Sequence, residues 1–97
     1  MSEILFKDKD ILTRNDEDFL CTEVDGETVI MNINTGHYFG LNSVSTDIWK
    51  IMEKPISYQE LIKNLLKEYD VEQETCEKDT RPLLFQLLRF KVITKSK

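Results

Sequence analysis

Glycine, proline, cysteine and histidine are all scarce in this chain: three, two, two and one among 97 residues. Glycine occurs only at Gly26, Gly36 and Gly40, so neither a phosphate-cradling loop nor a dinucleotide fingerprint can be assembled. The lone histidine, His37, has no second histidine, cysteine or carboxylate at ligand spacing, and it reads as an ordinary strand residue. Cys21 and Cys76 lack CxxC spacing and fall on different predicted elements, so two reduced, packed thiols are expected rather than a disulfide. Cys76 sits on an apolar helical stripe, where a thiol behaves as a small hydrophobe. No apolar run approaches the roughly 20 residues of a membrane helix. The first ten residues carry Glu3, Asp8 and Asp10 and lack the apolar stretch of a signal peptide. A cytoplasmic address without membrane association is the expectation. The acidic cluster Asp70 to Asp79 lacks the oxygen-ligand pattern and central glycine of a calcium loop. These absences predict no metal, no cofactor and no catalysis.

What is present is patterning. Ninety-seven residues, 40% hydrophobic and 32% charged, suit one globular domain spanning residues 1–97. Residues 1–10 read as a flexible tail, with Ile4, Leu5 and Phe6 tucked against the core. Ile11 to Arg14 reads as extended. Phe19 to Val24 is rich in β-formers, and Asp25-Gly26 signals a two-residue hairpin. Thr28 to Asn34 alternates, with Val29, Met31 and Ile33 on one face, Thr28, Asn32 and Asn34 on the other, and Ile30 as the exception. Asn34-Thr35-Gly36 turns the chain into a short strand, His37 to Leu41. Asn42 or Ser43 then caps a first helix with Val44, Ile48, Ile51 and Met52 on one stripe, Trp49 at its border and Asp47 in its first turn. Lys54-Pro55 ends it. Ser57 and Glu60 form a capping box for a second helix, with Ile56 placed to staple onto Leu61. A third helix spans about Gln73 to Phe90, and Val92-Ile93 fold back on the core. Pro82 predicts either a kink near Lys78 to Arg81 or a fresh start, and the unbroken apolar phase from Cys76 to Leu88 favours the kink.

Strands first and helices second make an α+β fold: a three-stranded antiparallel sheet followed by three helices, winged-helix-like. The last strand is then a sheet edge, where another peptide can add itself as a strand. A DNA-binding winged helix is the main alternative. The net charge of −5, and Glu74, Glu77 and Asp79 on the third helix, oppose it. Arg81, Arg89, Lys91, Lys95 and Lys97 follow without an acid, an arrangement that complements the helix dipole. A subunit pairing with itself through the same edge is a third reading. For peptide capture, the third helix walls the groove, with Thr80, Leu83 and Leu87 on one flank and Asp79 near the mouth.

The run Val29 to Asn34, Thr35-Gly36, His37 to Asn42 and Ile48-Trp49 resembles the PqqD family of peptide-recognition proteins. The likeness continues through Glu53-Lys54-Pro55, Tyr58 to Leu61, Glu68 to Val71, Cys76-Glu77, Asp79, Leu83-Leu84, Leu87 and Val92-Ile93. The Glu-Lys-Pro segment and the cysteine opening the third helix look most like the stand-alone leader-binding protein of lasso-peptide pathways. The resemblance implies a RiPP recognition element, which binds the leader of a ribosomally made precursor as a fourth strand. It implies as partners a leader peptide, a cysteine-protease-like leader peptidase and a cyclase. Carried onto this chain, the docking strand is His37, Tyr38, Phe39, Gly40 and Leu41, and the helix wall is Cys76, Asp79, Thr80, Leu83 and Leu87. Two departures stand out: Pro82 replaces a helix former, and Lys91 stands where the family has glycine.

Overall fold

The structure, a computed structural model, describes residues 6–96. Its elements run β1 (Ile11–Arg14), β2 (Phe19–Val24), β3 (Glu27–Asn32), β4 (Tyr38–Leu41), α1 (Ser43–Ile51), β5 (Ile56–Ser57), α2 (Tyr58–Glu68), α3 (Gln73–Arg89) and β6 (Ile93–Ser96). Two antiparallel three-stranded sheets result, ordered β2-β3-β4 and β5-β1-β6. The α+β class stands as read from the sequence.

The first sheet is a meander held by local turn chemistry. Asp25 and Gly26 both take positive φ, 53° and 83°, which lets Val24 pair with Glu27 across a two-residue turn. The second turn is organised by Asn32, whose Oδ1 accepts the backbone N–H groups of Asn34 (2.8 Å) and Thr35 (3.1 Å). Gly36 closes it at φ 78°, donating to the Asn32 carbonyl at 2.8 Å. Strand β3 therefore stops at Asn32, and Ile33 and Asn34 belong to the turn.

The face assignment of β3 is the reverse of the alternation reading. Thr28 and Ile30 are buried, whereas Met31 and Ile33 are exposed and Val29 is half-buried. Both faces of this strand carry apolar residues, so its own pattern does not decide between them. The cross-strand partners do: Ile30 pairs with Phe39, and Thr28 with the buried Leu41, which places one continuous apolar layer under the helices. Helix α1 completes that layer. The Thr46 hydroxyl accepts the Thr28 N–H at 2.9 Å and donates to the Leu41 carbonyl at 3.2 Å, bridging two backbone groups where the β3–β4 ladder ends.

Asn42 caps α1, its Oδ1 accepting the Ser45 N–H at 2.8 Å, and Ser57 caps α2 in the same way from Glu60 at 3.1 Å. On α1, Val44 is exposed and Trp49 is buried, so the inward stripe is rotated toward Thr46, Ile48 and Trp49. Asp47 lies beyond the first turn, and the helix ends at Ile51, short of Pro55. Helix α3 runs through Pro82 without restarting. Its exit is a Schellman turn. Lys91 takes φ 63°, its N–H donates to the Leu88 carbonyl at 3.0 Å, and Val92 N–H reaches the Leu87 carbonyl at 2.8 Å. The usual glycine at this place has a physical reason, since the left-handed region is strained for a side chain.

The second sheet went unread in the sequence. It clamps together distant stretches: Leu12 pairs with Ile56 on one side and Lys95 on the other. Residues 6–10 are part of this clamp rather than a flexible tail. Phe6 is buried and stacks on Tyr58 at 5.5 Å, while the carbonyls of Asp8 and Asp10 accept the N–H groups of Gln59 and Tyr58. Ile4 and Leu5 lie outside the described residues. The core beneath both sheets gathers Leu12, Ile30, Met52, Tyr58, Leu61, Leu65, Leu84, Leu87 and Ile93. Cys76 is packed against it, whereas Cys21 is exposed on β2.

Candidate functional site

Among the described residues, strand β4 pairs only with β3, which leaves its other side open. The hydrogen-bond phase tells which backbone groups face out. Asn32 N–H donates to the His37 carbonyl at 2.8 Å, which makes Asn32–His37 a hydrogen-bonded pair in the register Met31–Tyr38, Ile30–Phe39, Val29–Gly40. Antiparallel pairs alternate, so Phe39 bonds inward while the N–H and C=O groups of Tyr38 and Gly40 point to the open edge. Side chains alternate too. Phe39 and Leu41 face the helices, and Tyr38 stands on the outer face, 67% exposed.

Between this edge and α3 lies a groove of about 580 Å³. Its floor is Phe19, Phe39 and Leu41, and its wall is Leu83, Gln86, Leu87 and Phe90, which follow one another at helical spacing i, i+3, i+4, i+7. Asn32, Thr35, His37, Asn42 and Ser45 supply polar atoms around the rim. The lining is mostly apolar with a few polar groups, the composition of a binding cleft.

Of the residues singled out in the sequence, the structure brings His37, Phe39, Gly40, Leu41, Leu83 and Leu87 together around this groove. Tyr38 belongs to the edge through its backbone. Cys76, Asp79 and Thr80 do not line it. Cys76 and Thr80 are buried on the core stripe of α3, their Sγ and Oγ1 atoms 4.0 Å apart, and Asp79 is exposed elsewhere on the helix. The core stripe Cys76, Thr80, Leu84 and Leu87 runs along the whole helix, and it is the later turns, from Leu83 to Phe90, that lie beside the edge of β4. Gln86 and Phe90 were missed, although extending the Leu83–Leu87 stripe by one turn in sequence reaches Phe90. Phe19, Asn32, Asn42 and Ser45 enter through topology, which no local pattern announces.

The strongly perturbed groups lie outside the groove lining. Burial, with its hydrogen bond to Glu77 at 2.8 Å, pushes the Tyr58 hydroxyl up to about 12. A hydrogen bond to the Asp47 carboxylate, with some burial, takes Tyr69 to about 12 as well. Burial alone would raise the Glu77 carboxyl, but bonds from Tyr58, Gln73 and Arg81 hold it below its ordinary value. These shifts stabilise the protonation states already present at neutral pH. Among the described residues, no group of three or more His, Cys, Asp or Glu side chains is placed to hold a metal ion. No helix among them is long and apolar enough to cross a membrane.

The fold has a counterpart among solved structures. A solved structure of TbiB1 in complex with the TbiA(beta) leader peptide superposes with a TM-score of 0.75 at 30% identity, covering 84% of this chain and 93% of that one. No curated protein sequence matches. The sequence profile of the family described as Coenzyme PQQ synthesis protein D (PqqD) matches residues 27–93, which includes β3, β4, all three helices and hence both sides of the groove. The chain belongs to the PqqD family and has the fold of a RiPP recognition element.

Proposed function

We propose that this chain is a non-catalytic adaptor that captures the leader segment of a ribosomally synthesised precursor peptide and presents it to a maturation enzyme, a leader peptidase, in lasso-peptide biosynthesis. The observation that carries the reading is the open edge of β4 beside an apolar groove. A leader lying along β4 gains two N–H and two C=O partners at Tyr38 and Gly40. At about 1 kcal/mol net for each bond, four bonds fall well short of the ~8 kcal/mol that a micromolar complex requires. Alternate leader side chains entering the groove supply the remainder. About 200 Å² of apolar surface buried there contributes ~5 kcal/mol, before the cost of ordering the peptide. Backbone pairing then fixes register and the groove gives selectivity. The adaptor acts by raising the local concentration of a disordered substrate and holding it extended.

The test is titration of a fluorescently labelled leader peptide, taken from the precursor encoded beside this gene, monitored by anisotropy. Binding at micromolar concentration or tighter is expected. Tyr38→Pro removes an edge-facing N–H that β3 does not use, so the variant should fold and bind at least about tenfold more weakly. Wild-type affinity in that variant refutes strand addition on β4. Delivery is tested separately: leader cleavage by the peptidase should slow in the absence of this chain.

A further inference from the structure

Among the described residues nothing in the structure requires glycine at position 40. Its φ lies outside the left-handed region, and the atom a Cβ built there would meet within 4 Å is the Thr28 carbonyl oxygen, at 3.9 Å. Glycine inside a strand weakens it, and such a residue often marks where something approaches the backbone closely. Here the approach comes from outside the fold. The N–H and C=O groups of Gly40 point to the open edge, and its missing side chain leaves a gap on the outer face of the sheet. Val29 is its register partner on that face, half-buried, and Tyr38 flanks the gap two residues before it.

We propose that Gly40 is a specificity-determining notch, floored by Val29 and flanked by Tyr38, that accepts one bulky apolar side chain from the outward-facing register of the bound peptide. This rests on the peptide-binding reading and deepens it: the groove selects the inward residues of the guest, and the notch selects one residue on the opposite side. A guest strand paired to Gly40 carries its opposing Cβ about 5 Å away on the same face, close enough for a large side chain to lie across a glycine and reach the next strand. A small or charged residue there leaves Val29 exposed or places charge on an apolar floor.

The experiment uses the full chain, its Gly40→Ala and Gly40→Val variants, and an alanine scan of the labelled leader peptide. The variants should melt at or above the wild-type temperature, because the backbone and the space both admit a side chain. Gly40→Val should bind the leader about tenfold more weakly, the scale of one displaced large apolar side chain, with Gly40→Ala between. One leader position should lose affinity on alanine replacement in the wild type and lose none in Gly40→Val, which is the coupling expected of direct neighbours. Wild-type chain that binds while both variants bind equally well, or a loss coupled to no single leader position, overturns the notch and leaves the peptide reading standing. A wild-type chain that binds no leader overturns both.

Discussion

Replacing Thr46 by valine removes one hydroxyl and almost no volume, and it should cost far more than a surface hydrogen bond. Thr46 is fully buried on α1, and its hydroxyl serves the Thr28 N–H at 2.9 Å and the Leu41 carbonyl at 3.2 Å. Valine removes both contacts in a place water does not reach. The two backbone groups face each other as the last hydrogen-bonded pair of the β3–β4 ladder, and they are left only one another. Each lost buried hydrogen bond costs about 0.5–1.5 kcal/mol. Valine's gain from losing a buried polar atom offsets a little of this, so the unfolding free energy should fall by roughly 1–3 kcal/mol. Serine is the control. It keeps the hydroxyl and loses one methyl, and it should cost only about 1 kcal/mol. Urea unfolding followed by Trp49 fluorescence measures both, with a lowered midpoint and an unchanged slope. The bridge also seats Leu41 at the end of β4, so the valine variant should bind leader more weakly even where it is fully folded. A valine variant as stable as wild type would show that the hydroxyl bridge contributes nothing and that the β3–β4 ladder is held by its own pairing and packing.

Three further outcomes are expected. Pro82 lies inside α3, where it cannot donate to the Lys78 carbonyl, so Pro82→Ala should raise the unfolding free energy by about 1–3 kcal/mol, less the entropy proline removes from the unfolded chain. Lys91 holds φ 63° in the turn after α3, and Lys91→Gly should stabilise by ~1 kcal/mol in the same urea assay. Asp10 has its carboxyl held below 3.8, chiefly by the Lys7 backbone N–H at 2.8 Å and, with burial opposing, by Lys95 at 3.6 Å. A depressed folded value means its contribution is complete above 3.8 and is lost as pH falls through the folded value. Asp10→Asn should therefore melt lower than wild type at pH 7, with the difference shrinking on acidification below pH 4; a constant difference would exclude the linkage.

The elements legible in the sequence are those whose chemistry is local. Asp25-Gly26, Asn42 and Ser57 act within four residues, and each turn or cap formed where its residues stand. The edge character of β4 followed from element order. The faces of β3 were misread, because Val29, Met31 and Ile33 make the solvent side the more apolar one in sequence, and only pairing with Phe39 and Leu41 turns Ile30 and Thr28 inward. The β5-β1-β6 sheet was hidden because strands of two and four residues show no periodicity and their partners lie far away in the chain. On α3, the helical pattern pointed to Asp79, Thr80, Leu83 and Leu87 and the family likeness added Cys76, whereas the groove is walled by Leu83 and Leu87 together with Gln86 and Phe90. Which stretch of a long helix meets a sheet edge depends on crossing geometry, and residue types do not encode that directly.

The clamp has a consequence for how the recognition surface is held. Strands β2, β3 and β4 are neighbours in sequence and close over short loops, so their assembly is fast. Pairing of Arg14 with Ile93 must join regions almost a full chain length apart, at a larger loop-closure cost. Phe90 stands three residues before Ile93, so the last turn of the helical wall is moored to that long-range joint. Loosening the joint at Leu12 would let the mooring slip, and a leader peptide would report the damage as faster dissociation, although it touches nothing there.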